Sequence, residues 1–297
     1  MGTPDFAVAP LKKLVEGGYN IVGVITMPDK PIGRHQNELS ASPVKKYALE
    51  QGLKILQPAK LKDPDFIEEL RTLQADLQIV VAFRMLPEVV WAMPKLGTFN
   101  LHAALLPQYR GAAPINWAII NGDTQTGITT FFLDHDIDTG NIIQSVPVPI
   151  LDTDNAEDVH DKLMVLGSDL VIETVDNIIA DNIHPIPQSA IETNEPLRPA
   201  PKIFKETCRI DWNKSVKNTY DFIRGLSPYP AAWTEITVNN KTSVLKIYAT
   251  SKEFATVEAP VGKILTDGKS YLKVAQADGY QNILTLQMAG KKRMQVA

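Results

Sequence analysis

LQIVVAF, Leu77 to Phe83, is almost wholly apolar, with Gln78 its one polar residue. A run this short and this continuously apolar suits a strand covered on both faces, as in a parallel sheet; a half-exposed strand would alternate. Upstream, YNIVGVITM (Tyr19–Met27) and KILQP (Lys54–Pro58) repeat the pattern. Between the strands lie helix signals: SPVKKYALEQG with Ser42 as cap and Pro43 at its first position, and DPDFIEELRTLQA capped by Asp63. Strands alternating with helices over short links predict βαβ units on a parallel sheet. Ligands of such sheets sit beyond the carboxyl ends of the strands, which places Phe83, Arg84, Met85 and Leu86 at a pocket rim.

The next stretch, GTFNLHAALLPQYRGAAPINWAIINGDTQTGITTFFLDHDIDTG (Gly97–Gly140), concentrates the chemistry. On an extended chain Asn100 and His102 fall on the same side. Pro107 to Gly111 mark a loop that opens into a helix, and Asp138 precedes a Thr-Gly turn. An amide, an imidazole and a carboxylate are what an acyl-transfer site needs: an oxyanion donor, a general acid/base and an orienting anion. Taken singly, a His near a strand end is more often structural, and Asp-Thr-Gly is more often a plain turn.

At 297 residues the chain is long enough for two cores, with 44% hydrophobic and 22% charged residues. No apolar run approaches the ~20 residues of a membrane span. The single cysteine, Cys208, cannot form an internal disulfide and fits a reducing cytoplasm; no signal peptide is recognisable. No strand is followed by G-x-G-x-x-G, and G-x-x-x-x-G-K-S/T is absent, so neither a nicotinamide nor a nucleoside triphosphate site is supported. Five His without paired ligand spacing argue against zinc, and His135 between Asp134 and Asp136 reads as a solvated acidic turn. Residues 1–200 carry 15 Lys and Arg against 26 Asp and Glu, a charge of −11; residues 201–297 carry 15 against 8, a charge of +7. A basic second part on an acidic body suits a polyanionic partner.

MGTPDFAVAPL reads as a strand-to-helix turn, with Pro10 expected in the first helical turn. Pro28–Ser42 lacks periodicity and reads as a long loop of functional character. NIIQSVPVPI (Asn141–Ile150) is a Pro-interrupted strand near an edge. Asp154 or Asn155 caps a long helix with Val159, Leu163, Leu166, Leu170, Val175 and Ile178 on its core face. Five prolines mark a linker over 183–201. Beyond it, a helix from Ser215 to Leu226 precedes five short strands, TEITV, SVLKIYAT, APVGKIL, YLKVAQ and ILTLQMAG, which predict a small OB-like barrel.

Asn100-Leu101-His102, Ala104-Leu105-Leu106-Pro107-Gln108-Tyr109-Arg110-Gly111 and Asp138-Thr139-Gly140 closely resemble, in order and spacing, the three marks of the formyltransferases that use 10-formyl-tetrahydrofolate. Ala104 stands where Ser is usual. PYPAAW and the Lys202/Lys205 pair in APKIFKE resemble the C-terminal domain of the branch that acts on methionyl-tRNA, so the likeness spans the chain. The resemblance implies an α/β fold: a Rossmann-like parallel-sheet formyltransferase domain over 1–182, a linker over 183–201, and a smaller C-terminal OB-like β-barrel domain over 202–297. It implies Asn100, His102 and Asp138 as catalytic residues, with Asp138 fixing the imidazole tautomer. Phe83, Arg84, Met85, Leu86, Leu105 and Pro107 would wall the folate, although the commonest form has Gly at the position of Arg84. Lys30, Arg34, Lys202 and Lys205 would meet tRNA. The implied co-substrate is 10-formyl-tetrahydrofolate, the partner initiator methionyl-tRNA, and the expected protein a cytoplasmic monomer without metal or membrane contact. Members of the family carry an apolar strand before GTPDFA and run on past NILTLQMAGKKRMQVA, so the first strand and extreme C-terminus are expected to be missing. Two rival readings remain: a formyltransferase for a small amine such as an amino-sugar nucleotide or glycinamide ribonucleotide, suggested by Asn116-Trp117, and a non-catalytic RNA-binding relative.

Overall fold

The computed structural model describes residues 1–32, 38–193, 195–238 and 240–296. The chain divides into two compact units, one of residues 1–110, 127–148 and 162–198, the other of residues 111–126, 149–161 and 199–297.

The first unit opens with α1 (Asp5–Glu16), β1 (Val24–Ile25), the strands β2 (Lys30–Ile32) and β3 (Glu38–Ser40), α2 (Pro43–Glu50) and β4 (Ile55–Leu56). It continues through α3 (Pro64–Thr72), β5 (Gln78–Val81), α4 (Glu88–Trp91) and β6 (Thr98–His102). The predicted caps hold: Ser42 Oγ accepts from Lys45 N at 3.1 Å and Asp63 Oδ1 from Asp65 N at 3.0 Å. β1 runs parallel to β4, and β5 parallel to β6. Gly2 lies between the two pairs, bridging Val81 in parallel and donating its N–H to Ile25 O at 3.0 Å.

Three expectations change here. The nine-residue strand at Tyr19–Met27 is ladder-paired only at Val24–Ile25, because Asn20–Gly23 line a cavity of about 140 Å³ opposite Leu77–Ile79 rather than a neighbouring strand. The loop after Met27 contains an antiparallel ribbon, β2 on β3, with Lys30 opposite Ser40. Pro10 sits inside α1, beyond its first turn, with its ring buried on the apolar face beside Ala7 and Leu14.

After α5 (Pro114–Ile120), which belongs to the second unit, come β7 (Gln125–Phe132), β8 (Ile142–Pro149) and α6 (Ala156–Ile179). β7 joins β6 antiparallel, and β8 is the end strand of the order β5-β6-β7-β8, as its prolines imply. Asn155 Oδ1 accepts from Glu157 N and Asp158 N while Asp158 Oδ2 accepts from Asn155 N, a reciprocal cap for α6. Val159, Leu163, Leu170, Val175 and Ile178 are buried as expected, but Leu166 is 40% exposed at the edge of the stripe and Val171 is buried in its stead. Within 183–201, Ile186 bridges Ile142 antiparallel and Gln188 is buried.

The second unit carries α7 (Val216–Gly225), whose N-terminal Asn218 N–H is accepted by Ser215 Oγ. β9 (Ala232–Val238), β10 (Lys241–Phe254), β11 (Ile264–Thr266), β12 (Leu272–Gln276) and β13 (Gly279–Met288) form an antiparallel sheet in the order β11-β12-β13-β10-β9, with β14 (Met294–Gln295) on β13. Register shifts between Ile247 and Thr250 let β10 serve both neighbours, as bulges do in curled sheets. Ile223, Leu226, Ala232, Ile247 and Ile283 form its core.

Candidate active site

The site lies in the first unit, at the end of β6. Thr98, Phe99, Leu101 and His102 are buried and Asn100 half-buried. Pairing of Asn100 with Phe131 and of His102 with Thr129 on β7 fixes the strand, so amide and imidazole leave the same face two residues apart. His102 is 6% exposed, and its ring meets Phe131 edge-on at 6.4 Å.

The imidazole's Nε2 lies 2.9 Å from Tyr109 O, and a carbonyl oxygen only accepts, so Nε2 carries a proton. Tyr109 is buried with φ +59°, a left-handed turn that aims its carbonyl back at the ring. The tautomer is therefore set by the Tyr109 carbonyl and not by Asp138, which corrects the role expected of the carboxylate. Nδ1 faces Asp138 Oδ2 at 3.8 Å, too far for a direct hydrogen bond and close enough for strong charge coupling. Burial pushes the His102 pKa below its ordinary 6.5, partly opposed by the Asp138 charge and by the Tyr109 carbonyl. The ring is thus a buried base with one uncommitted nitrogen beside a carboxylate.

Asp138 is held by backbone. Its φ is +55°. Gln188 Nε2 donates to both Asp138 O and Gly140 O at 2.9 Å, while Arg110 Nε and Nη2 donate to Gln188 Oε1 at 3.0 and 2.7 Å. Arg110 therefore organises the Asp-Thr-Gly turn through Gln188. Only Gly fits at 140, where a Cβ would lie 1.7 Å from Phe132 O. On the other wall, Thr129 Oγ1 donates to Ala104 O at 2.7 Å and accepts from Leu106 N at 3.3 Å, fixing the Leu-Leu-Pro turn. Gln188 and Thr129 went unnoticed in the sequence, since a lone Gln among prolines and a Thr in a strand carry no local signal.

Phe83–Leu86 follows β5 outside any helix or strand, so its backbone groups can meet a flat polar heterocycle, whereas the Pro87 carbonyl already accepts from Val90 N and Trp91 N. Met85 is 65% exposed and Leu86 buried, which gives the segment an apolar outer wall; both features fit a pterin. Arg84 donates from Nη1 to Ala59 O at 2.9 Å and from Nη2 to Pro58 O, tying the exits of β4 and β5 together, and its guanidinium lies 5.5 Å from the Phe83 ring. Burial lowers its pKa. Leu105 is half-buried against Gly127 of β7, and Pro107 is buried. Lys30 is exposed on β2, whose root is anchored by Lys45 and Gln57 on Asp29 at 2.5 and 2.8 Å; Arg34 lies outside the described residues. Lys202 and Lys205 belong to the second unit. His135 packs edge-on to Trp91 at 5.4 Å, and among the described residues no group of three or more His, Cys, Asp or Glu could hold a metal ion. No helix among them is long and apolar enough to cross a membrane.

The site thus brings a buried His102 and Asp138 together at the end of a strand that also carries Asn100, and residues 1–175 match the formyl transferase family, residues 202–297 the formyl transferase C-terminal domain. The chain belongs to the formyl transferase family. It is 73% identical over its whole length to the methionyl-tRNA formyltransferase of Phocaeicola vulgatus, covering 92% of that protein, and 66% identical over 99% of its length to that of Bacteroides thetaiotaomicron, covering 91%. A sugar 3N-formyl transferase crystallised with dTDP and 5-N-formyl-THF shares the fold, with TM-score 0.66 at 21% identity and coverage of 98% and 97% of the two chains.

Proposed function

We propose that the chain transfers the formyl group of 10-formyl-tetrahydrofolate to the α-amino group of methionine esterified to initiator tRNA. The observation that carries the reading is His102 Nδ1, uncommitted and 3.8 Å from Asp138, in a chain 73% identical to a methionyl-tRNA formyltransferase. The bound folate supplies an amide-like carbonyl carbon open to attack by an amine. Asn100 donates its side-chain N–H to the carbonyl oxygen as that oxygen gains charge; one such donor is worth roughly 10²–10³ in rate. His102 Nδ1, neutral because the ring is buried, takes the proton of the attacking amine. Asp138 then stabilises the imidazolium, and as the tetrahedral intermediate collapses the bond from the formyl carbon to N10 of the folate breaks, the proton passing from His102 to that leaving nitrogen so that tetrahydrofolate departs and the neutral ring is restored. Phe83–Leu86, with Leu105 and Pro107, wall the folate, and Arg84 holds that rim. Lys30 and Arg34 meet the tRNA from residues 1–182, which carry the chemistry. Lys202 and Lys205 meet it from residues 202–297, where phosphate contacts make binding salt-dependent. The protein acts as a cytoplasmic monomer.

The test is formylation of charged initiator tRNA beside a panel of small amines that includes amino-sugar nucleotides and glycinamide ribonucleotide. Formyl-methionyl product on tRNA supports the reading; product on a small amine alone rejects it.

A further inference from the structure

Residues 205–210 are held against Trp233 of β9 in the second unit. Ile210 N donates to Trp233 O at 2.8 Å, Trp233 Nε1 donates to Lys205 O at 2.7 Å, and Arg209 bridges Trp233 in parallel. Just before it, Phe204 N donates to Thr207 Oγ1 and Cys208 Sγ to Phe204 O, so the turn that presents Phe204 is pinned on both sides. Held this way, Phe204 is 58% exposed, far from what burial of a phenyl ring favours.

Cations stand against this ring and against that of Trp233. Lys202 Nζ stands 5.5 Å from the Phe204 centroid, while Lys205 Nζ and Arg209 Cζ stand 6.0 and 5.6 Å from the Trp233 centroid. Arg209 is paired with Glu235 at 2.8 Å, but among the described residues neither Lys202 nor Lys205 has a carboxylate within ion-pair distance. An exposed phenyl ring with one unpaired ammonium group beside it and a second on the next residue, in a region of charge +7, is the composition of a site for single-stranded nucleic acid: the ring stacks a base and the lysines neutralise the phosphates beside it. A base inside a duplex already has both faces covered and cannot reach such a ring.

We propose that Phe204, flanked by Lys202 and Lys205, stacks one unpaired nucleotide of the tRNA. The inference rests on the tRNA-acceptor reading and adds a nucleotide-specific contact to it. Stacking supplies an affinity term that depends on the ring and not on salt, whereas the lysines supply one that depends on salt and not on base pairing.

The test measures binding of methionyl initiator tRNA, and of a blunt, fully paired two-stranded RNA duplex, to the full-length wild type, Phe204→Ala, Phe204→Leu and Phe204→Trp across a salt series. Phe204→Ala and Phe204→Leu are expected to weaken tRNA binding about tenfold at every salt concentration, with Phe204→Trp near wild type and the duplex bound equally by all four. In turnover, KM for the charged tRNA rises in Phe204→Ala while kcat holds. Wild-type affinity in Phe204→Ala, or equal weakening for tRNA and duplex, overturns the stacking site while leaving the tRNA reading intact. Failure of the wild type to bind tRNA removes both, and the wild-type arm distinguishes that case.

Discussion

Replacing Gln188 with Met tests whether the Asp-Thr-Gly turn is held in place or merely happens to fold there. Gln188 is 5% exposed and makes four hydrogen bonds, two from its amide N–H groups to the carbonyls of Asp138 and Gly140 and two accepted from the Arg110 guanidinium. Met preserves the volume and removes all four. Two neutral bonds at about 1 kcal/mol each and a charge-assisted fork at about 1.5–3 kcal/mol put the loss of stability at about 3.5–5 kcal/mol, before any relaxation of the turn. Asp138, held at φ +55° by those bonds, is then free to move, and a shift of ~1 Å in a catalytic group costs about 10² in rate. The assay pairs thermal unfolding with single-turnover formyl transfer in the wild type, Gln188→Met, Asp138→Ala and the double variant. Because Gln188 acts through Asp138, the double variant should turn over no slower than Asp138→Ala alone. A melting temperature lowered as expected, together with turnover within about twofold of wild type, would refute the positioning role and leave Gln188 a purely structural residue.

Asn100→Ala and Asp138→Ala should each lower turnover by about 10²-fold or more with little change in melting temperature, as single-turnover rates would show. The acid limb of kcat/KM should lie below pH 6.5, because burial favours neutral His102 and activity needs the neutral ring; Asp138→Asn removes a charge that raises this pKa, so the limb should move to still lower pH. The same depressed pKa means that the unfolded chain binds more protons just below pH 6.5, so folding stability falls as pH drops through that window, a slope that His102→Ala should reduce in denaturant titrations. Arg84→Met removes two hydrogen bonds to the Pro58–Ala59 turn and should raise KM for the folate donor by up to about tenfold with kcat little changed. Gly140→Ala, whose methyl would meet Phe132 O at 1.7 Å, should destabilise the fold by several kcal/mol, roughly 4 or more, on chemical denaturation.

Local chemistry was legible in the sequence where a residue acts on its immediate neighbours. The caps Ser42 and Asp63 bind an N–H three and two residues on and stand where the sequence placed them, and of the two candidates Asp154 and Asn155 it is Asn155 that caps α6; Ser215, read as the first residue of its helix, is instead the cap before it. Strand pairing is a property of two segments, and the apolar run at Tyr19–Met27 gives no hint that only Val24–Ile25 finds a ladder. The β2–β3 ribbon escaped notice because Pro31 and flanking polar residues hide its alternation. Asn100 and His102 were readable from their two-residue spacing, and the structure brings His102 and Asp138 together at 3.8 Å. The Tyr109 carbonyl that sets the tautomer was not readable: it depends on a left-handed φ at a non-glycine residue, which the sequence PQYRG does not announce. Nor was Gln188, 50 residues from the carbonyl it holds.

The most direct measurement is the single-turnover rate of formyl transfer to charged initiator tRNA, with both substrates saturating, in the wild type and in His102→Ala of matched melting temperature. With His102 Nδ1 as the base that takes the amine proton, the rate should fall at least about 10²-fold and lose its acid limb. A His102→Ala protein that formylates the tRNA at close to the wild-type rate would contradict it.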